Sequence, residues 1–478
     1  MANARTCSRR FTDDTGNRRS PAGPGSRQEF GMSWAQAISS TFSLRRKAGE
    51  VRGLTVLDEF AGLMLVVAAV GYLYFDTFGG VIRWVFPMAG LTLLAYAPAG
   101  IAILALLAHA VGRMGDGNSV ISMTTALVFS TIAILVSLLM GRNVAEILFA
   151  IYIWIPFFVG AALAQRRMQD RVINAMIPLF FIATAGVLIN IFVNYPWVDA
   201  TYEVLGVQKE AARDWKAYGV QRLSGLSRAS YTAAAQILIC YCALEYRVRP
   251  LVWRSIAWVA GIAAIHYTTS KSPELAMAAL PVTYLVIGRL RQTDGVRQKW
   301  GAIAVISAWL LVVFAGPLLS LPYGTRLFPA GVGYGIGYSS FADRVLNTWP
   351  NALRLVDWRN PAEWLVGAGL GGIGSPQTLF HADIMNPGDN MAVYLMVSFG
   401  LLSLGFVYLI FRGGLRAIEA GGRGRRDFAM IVAVLGIGSM ANVIESIFPV
   451  MVLGMICARQ RSRRAEAGLP IADLQRET

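Results

Sequence analysis

Long apolar runs recur along almost the whole chain, and this repetition limits the fold more than any other feature. Many of the runs come close to the roughly 18 apolar residues that a helix needs to cross a membrane. The composition agrees, because 55% of the 478 residues are hydrophobic and only 15% are charged, with a mean hydropathy of +0.51. These values are too apolar for a soluble enzyme. We therefore predict an all-α, polytopic integral membrane protein.

Twelve transmembrane helices fit the apolar runs, and polar tails flank them. Residues 1–50 are polar and basic and have no apolar core, so we predict a disordered cytoplasmic tail. Residues 51–460 form the membrane domain, and residues 461–478 form a second cytoplasmic tail. The predicted spans lie near residues 55–75, 84–110, 119–140, 144–164, 172–193, 229–246, 252–267, 273–288, 300–320, 391–411, 428–444 and 447–458.

The distribution of positive charge sets the predicted orientation. The chain has a formal net charge of +15. Its Lys and Arg residues fall mostly in short connections between apolar runs, as the positive-inside rule describes, and this pattern argues against a nucleic-acid partner. We predict that both termini lie in the cytoplasm.

Residues 81–112 decide which loops lie outside. This segment is long enough for one kinked helix or for two short ones, with Pro87 and Pro98 as the candidate breaks. One span keeps every later basic cluster on the cytoplasmic side, whereas two spans would place them all outside, so we assign one. Two long extracytoplasmic loops follow from that choice, residues 194–228 and 321–390, and we expect them to carry short helices.

The two long loops are rich in Lys and Arg for outer loops, which suggests an anionic ligand such as a phosphate. Arg222 and Arg228 lie just before the sixth predicted span. They are either interfacial arginines whose side chains extend to the membrane surface, or a clamp whose planar guanidinium groups bind phosphate oxygens in pairs.

Two further segments offer donors for an anion. Ser270 and Lys271 lie in a short outer turn, which is either a capped connection between helices or part of the anion site. Ser340 and Asp343 form an S-x-x-D capping pattern that predicts the start of a surface helix. Arg344 then lies either on an interfacial helix or in the anion site.

His381, Asp389 and Asn390 are the polar groups closest to the start of the tenth predicted span. Asp389 is interpreted in two compatible ways, as the cap of that helix or as a base that accepts a proton from a sugar hydroxyl. His381 is either a structural residue or a ligand of the substrate. Asn390 is assigned to substrate binding beside Asp389.

Sequence motifs for metals and cofactors are absent. The chain has no H-E-x-x-H, Walker A, G-x-S-x-G or cysteine-rich metal pattern, and its four cysteines predict no disulfide framework. The Gly-rich stretch Gly367–Gly374 follows no predicted strand, so we interpret it as tightly packed backbone at the rim of a cavity. We therefore predict no cofactor and no metal.

Five short motifs, in this order and spacing, resemble the O-antigen polymerase and O-antigen ligase-like membrane proteins of bacterial surface-polysaccharide assembly. They are R-x-x-G at Arg222–Gly225, T-x-S-basic at Thr268–Lys271, S-F-x-x-R at Ser340–Arg344, G-x-G-x-G at Gly367–Gly371, and D-N followed by F-G-L-L at Asp389–Leu402. The resemblance runs from about Gln221 to the end of the tenth predicted span.

The resemblance implies a metal-independent glycosyltransferase of the bacterial inner membrane. Such a protein takes a glycan from undecaprenyl pyrophosphate at the periplasmic face and joins it to an acceptor sugar. Arg222 corresponds to an outer arginine of the ligase branch, whereas Lys271 and Asp389 replace an arginine and a histidine of that branch. These departures favour a polymerase of O-antigen or exopolysaccharide repeat units over a lipid A-core ligase. A chain-length regulator and a flippase of the same pathway are the implied protein partners.

The implied catalytic residues are Asp389, Arg222 and Lys271, and the implied substrate-binding residues are Arg228, Ser270, Arg344, His381 and Asn390. Basic groups would stabilise the leaving pyrophosphate, and Asp389 would orient or deprotonate the acceptor hydroxyl. The alternatives are an O-antigen ligase and, from another class, a transporter or flippase for lipid-linked sugars. A transporter should show internal repeats and charged residues in mid-span, and the sequence shows neither.

Overall fold

The computed structural model describes residues 51–112, 130–204, 207–217, 220–290, 295–329, 336–420 and 422–459. The two predicted tails, residues 1–50 and 461–478, lie outside the described residues, as does the first half of the third predicted span. The described chain is mostly helical. This agrees with the predicted class of an all-α membrane protein.

Helices of very different length make up the described chain. Those before the first long loop are α1 (Val51–Thr77), α2 (Gly79–Met88), α3 (Ala97–Gly112), α4 (Ser130–Leu139), α5 (Val144–Gln165) and α6 (Gln169–Ile189). Those between the loops are α7 (Ser230–Arg247), α8 (Leu251–Tyr267), α9 (Lys271–Leu290) and α10 (Gly295–Leu327). The rest are α11 (Ile336–Asp343), α12 (Trp349–Leu353), α13 (Pro361–Val366), α14 (Met391–Phe399), α15 (Leu404–Glu419), α16 (Gly422–Gly438) and α17 (Ile447–Cys457).

Six helical segments among the described residues are long and apolar enough to cross a membrane: Asp58–Thr77, Thr92–Gly112, Val144–Gln165, Gln169–Ile189, Val296–Leu321 and Met391–Glu419. Several of the other predicted spans coincide with helices that are shorter or less apolar, such as α4, α8 and α17. The six segments support a membrane protein with several spans. The total of twelve spans stays a prediction.

Residues 81–112 do not form one kinked helix. The helix α2 ends at Met88, and the chain turns before the span that begins at Thr92. The Gly90 N–H donates to the Pro87 carbonyl (3.0 Å) and the Leu91 N–H to the Phe86 carbonyl (2.7 Å), which is the Schellman pattern of a helix end. This pattern requires a left-handed residue, and Gly90 supplies it with a φ of 71°.

Hydrogen bonds gather the predicted outer connections at one end of the molecule, here called the loop end. The Gly80 N–H donates to the Leu226 carbonyl (2.9 Å), and the Leu223 N–H to the Tyr267 carbonyl (3.3 Å). These two contacts join the α1–α2 turn and the α8–α9 turn to residues 194–228.

Ion pairs gather the predicted inner connections at the opposite end. They join Arg166 to Asp58 (2.7 Å), Arg425 to Glu245 (2.7 Å) and Lys299 to Glu419 (3.4 Å). These three contacts join connections that the sequence places on the cytoplasmic side; the orientation itself stays a prediction.

The first long loop differs from the prediction, because it carries β-hairpins instead of short helices. The strands β1 (Thr201–Val204) and β2 (Val207–Glu210) pair antiparallel with Thr201 opposite Glu210. The shorter strands β3 (Lys216–Ala217) and β4 (Val220–Gln221) form a second pair. The run TYEV is rich in β-branched and aromatic residues, which favour a strand over a helix. The second long loop carries the short helices α11, α12 and α13, as predicted.

The helix α7 lies at the centre of the core. It contacts α6, α8, α9, α16 and α17, and its residues are buried along nearly the whole length from Ser230 to Glu245. Its first residue directly follows Arg228 and Ala229. The end of the first long loop is therefore fixed to a helix that is buried along most of its length.

Candidate functional site

Arg344 and Asp389 form an ion pair at the loop end. Nη2 of Arg344 lies 3.2 Å from Oδ2 of Asp389, and Nη1 donates to the carbonyl and the hydroxyl of Ser340 at 3.1 and 2.6 Å. The helix α11 begins at Ile336, one turn before the predicted capping pattern, so Ser340 lies inside it and not at its start. That correction explains the contact, because residues four apart face the same side of a helix.

Arg222 joins this pair from the other long loop. Its Nε is buried and has no hydrogen-bond partner within the described part of the chain, and the same holds for Nε of Arg344. Burial lowers the pKa of Arg222, the charge of Arg344 lowers it further, and the charge of Asp389 raises it. We call Arg222, Arg344 and Asp389 the Asp389 group. It combines two guanidinium groups with one carboxylate.

Asp389 is held in an unusual backbone conformation, with a φ of 42°. Its carbonyl accepts a hydrogen bond from Nε1 of Trp349 at 3.4 Å. Burial raises the pKa of its carboxyl; Arg344 and Arg222 act against this, and the charge of Asp343 adds to it. A partly buried carboxylate with a raised pKa is a candidate general base.

Asn390, and not Asp389, caps α14. Its Oδ1 accepts from the N–H groups of Ala392 (2.7 Å) and Val393 (3.1 Å). Its Nδ2 donates to the carbonyls of Val313 (2.9 Å) and Ser439 (2.8 Å). All four contacts are internal, so Asn390 fastens α10, α14 and the end of α16 together. The capping role predicted for Asp389 is wrong. Its carboxylate pairs with Arg344 instead.

Glu445 is a further, partly buried carboxylate that interacts electrostatically with Asp389 of this group. It lies between α16 and α17, where it accepts from the backbone N–H (2.8 Å) and the hydroxyl (2.5 Å) of Ser375. Burial raises its pKa, the two bonds from Ser375 and the charge of Arg213 lower it, and the charge of Asp389 raises it. Sequence reasoning placed Glu445 only near the end of a span. The available signal was a single carboxylate between two apolar runs.

The lack of a side chain at Gly374 leaves room for the carboxylate of Glu445. A Cβ at this position would lie 1.9 Å from Oε1 of Glu445, and the φ of Gly374 is 84°. The Gly-rich stretch is thus tightly packed backbone, as interpreted from the sequence.

A second set of cations surrounds Arg228. The Arg213 N–H donates to the Arg228 carbonyl (2.8 Å), and a Cβ at Gly79 would lie 2.9 Å from Nη1 of Arg83 and 3.6 Å from Cβ of Arg228. Burial and then the charges of Arg83 and Arg213 lower the pKa of Arg228. Burial and then the charges of Arg228 and Arg83 also lower the pKa of Lys209. We call Arg83, Lys209, Arg213 and Arg228 the Arg228 group.

Arg222 and Arg228 therefore belong to different groups, although the sequence suggested a single clamp. The predicted motifs also missed Arg83, because it lies in a segment assigned to a span. Arg213 was visible only as one of many basic residues in the first loop.

The other predicted site residues have local partners. Nζ of Lys271 lies 3.1 Å from Oε2 of Glu274, and the hydroxyl of Ser270 donates to the Thr268 carbonyl at 3.5 Å. His381 contacts Glu146 through its Nδ1 (2.7 Å), which fastens the second long loop to α5. The described contacts do not join these three residues to the Asp389 group.

Carboxylates, thiols and imidazoles do not gather into a set of three or more that could hold a metal ion anywhere in the described ranges. Comparisons of this chain with protein-family models, with curated proteins and with solved structures found no match.

Proposed function

We propose that this protein is a glycosyltransferase of the bacterial inner membrane that polymerises oligosaccharide repeat units linked to undecaprenyl pyrophosphate. The product would be O-antigen or exopolysaccharide, made at the periplasmic face. One observation carries the proposal: Arg344 pairs with the carboxylate of Asp389, and Arg222, from the other long loop, interacts electrostatically with both. The resemblance noted in the sequence supports it.

The Asp389 group suits a transfer in which a diphosphate leaves and a hydroxyl attacks. The bond between the anomeric carbon of the donor sugar and the diphosphate oxygen breaks, and the oxygen keeps the electron pair. The guanidinium groups of Arg222 and Arg344, each with an unpartnered Nε, neutralise that charge through forked hydrogen bonds. The acceptor hydroxyl forms the new bond to the anomeric carbon, and its proton passes to Asp389.

The membrane location suits a substrate with a long apolar tail. A lipid-linked donor would reach the loop end sideways from the bilayer, while its diphosphate stays at the level of the arginines. On this proposal the loop end faces the periplasm and both termini face the cytoplasm. A flippase would supply the lipid-linked units, and a chain-length regulator would act on the product.

The proposal is tested first by deletion and reconstitution. A strain without the gene should accumulate single repeat units, and the purified protein in vesicles should convert lipid-linked repeat units into a ladder on a gel. Lack of a ladder with active, well-folded protein and the strain's own lipid-linked units would contradict a polymerase.

Arg222→Ala then tests the site. Loss of a charge-assisted contact costs about 1.5–3 kcal/mol, so the rate should fall about ten- to a hundredfold. Arg222→Lys should also slow the reaction, because an ammonium group cannot form the forked contact. The matched control is Lys216→Ala in the same loop, whose exposed amine pairs with Asp214. Long polymer from well-expressed Arg222→Ala would remove Arg222 from the mechanism.

A further inference from the structure

The Arg228 group has an excess of positive charge. None of its four cations forms an ion pair within 4.0 Å among the described residues. Asp76 is a carboxylate that interacts electrostatically with Arg83 and Arg228, but its Oδ2 already accepts from Nε2 of Gln236 at 2.9 Å. Like charges that crowd together in a partly buried place destabilise a protein unless an anion lies between them. Interfacial arginines that only extend to the membrane surface would spread apart instead of converging.

The side chains of this group are oriented as in a binding site. Nη1 of Arg83 donates to the Gly79 carbonyl at 3.0 Å, which fixes the direction of the guanidinium. The guanidinium of Arg213 lies over the ring of Trp215, 5.2 Å from its centroid. Nε of Arg228 is buried and has no partner in the described ranges. The group thus holds unused donors in fixed positions.

An apolar surface adjoins the cations. Arg83 lies on α2, and exposed apolar side chains follow it at the end of α2, in the next turn and at the start of the next span: Met88, Leu91 and Leu93. A ligand that places a phosphate on Arg83 and Arg228 can therefore lay a hydrocarbon chain along α2. Charge and surface together point to a phosphate-bearing lipid.

We propose that the Arg228 group is a second diphosphate site, separate from the Asp389 group, and that it takes the headgroup of the second lipid-linked substrate. The assignment to that substrate rests on the proposed polymerase, in which each repeat unit arrives on its own lipid diphosphate. The Asp389 group holds the diphosphate that leaves, and the Arg228 group holds the one that stays attached to the acceptor. Glu445 interacts electrostatically with Arg213 of one group and with Asp389 of the other.

The stoichiometry of binding tests this proposal. Farnesyl diphosphate is titrated against the purified full-length protein in nanodiscs of a zwitterionic phospholipid. We expect two molecules bound per chain. The double variant Arg83→Gln/Arg228→Gln should bind one molecule per chain. The double variant Arg222→Gln/Arg344→Gln should also bind one molecule per chain. A single charge loss should weaken its own site about ten- to a hundredfold. Two sites in the Arg83→Gln and Arg228→Gln protein would overturn the proposal.

Two controls separate a binding defect from misfolding. Lys209→Ala removes an exposed cation of the same group and should weaken the same site without loss of the folded protein. Lys299→Ala removes an exposed cation at the opposite end of the molecule and should leave both sites intact. If Lys209→Ala binds like the wild type while Lys299→Ala weakens binding, the group is not the site.

Competing ligands show which kind of phosphate compound occupies the Arg228 group. Inorganic diphosphate should displace farnesyl diphosphate from the Arg228 group only weakly, because it lacks the hydrocarbon chain. Phosphatidylglycerol added to the nanodisc should leave two sites. Displacement of farnesyl diphosphate by phosphatidylglycerol would show a general site for anionic lipid. Equal affinity for inorganic diphosphate would show a site for the free anion. Either result overturns the substrate assignment. Two bound molecules in a protein that forms no polymer would refute the polymerase and leave the second site standing.

Discussion

The carboxylate of Asp389 lies 3.2 Å from the guanidinium of Arg344. This ion pair joins Arg344, which directly follows α11, to Asp389, which stands two residues before α14. Arg344 is held from the other side by Ser340, so the carboxylate has a partner whose position is fixed by the protein itself. A fixed carboxylate next to unused guanidinium donors is a preorganised arrangement for proton transfer beside a departing anion.

Asp389→Asn should nearly abolish polymerisation. The amide keeps the size of the side chain and tolerates the left-handed backbone, so the protein should still fold. Loss of a general base lowers a rate by about a hundred- to ten-thousandfold. Polymer length on a gel, with protein level in the same membranes, measures the effect. Asp383→Asn, an exposed change in the same loop, is the control. Long polymer from Asp389→Asn would leave Asp389 with a structural role only.

The pH profile should respond to Asp343. Arg344, Arg222, Asp343 and Glu445 are the charged groups that act on Asp389, and burial raises its pKa above the ordinary 3.8. Activity needs the carboxylate, so it should fall as the pH drops through that raised value. Stability should change in the opposite direction, because the folded protein binds this proton more tightly than the unfolded chain does: it decreases as the pH rises from 3.8 through the raised value. Asp343→Asn removes a negative neighbour and should move the acid limb of the rate profile to lower pH. An unchanged limb would argue against Asp389 as the titrating group.

Asn390→Ala should destabilise the fold. The change removes the cap of α14 and leaves the buried carbonyls of Val313 and Ser439 without their donor. We expect a loss of about 2 kcal/mol or more in the free energy of unfolding. The unfolding temperature in detergent measures it. Asn347→Ala, which removes an exposed contact with Asp343, should cost much less. Equal stabilities for the two variants would show that the four buried bonds do not stabilise the fold.

Gly374→Ala should displace Glu445. The new methyl group would overlap its Oε1, and the backbone φ of 84° disfavours any side chain. We expect lower stability and a loss of polymer together, measured in the same membranes. Gly405→Ala is the matched control, since a Cβ there meets nothing within 4 Å. A Gly374→Ala protein with normal stability and activity would contradict the close packing.

Thiol labelling should place the loop end in the periplasm. Glu210→Cys and Thr378→Cys put exposed thiols at the loop end, and Lys299→Cys puts one at the other end. Three of the native cysteines, Cys240, Cys242 and Cys457, are buried, and Cys7 is changed to Ser to give a silent background. An impermeant maleimide added to spheroplasts should label the first two and spare the third. The reverse pattern would invert the orientation.

The sequence by itself determined the class of the protein, a mostly helical chain with several apolar segments long enough to span a membrane. Apolar runs and basic connections are local features, because each span must satisfy its own backbone hydrogen bonds within the membrane. The same locality made Asp389 and Arg222 visible as candidates near the starts of predicted spans, and Arg344 visible beside a local helix-start pattern.

Only the tertiary structure decided which of these residues meet. Arg222 and Arg228 stand close together in sequence, yet Arg222 interacts with Asp389 and Arg228 with Arg83. Asn390 caps α14, and its amide also donates to the carbonyls of Val313 on α10 and Ser439 at the end of α16. Glu445 and Ser375 meet across 70 residues of chain. Contacts of this kind depend on how helices and loops pack, and no spacing along the chain encodes them.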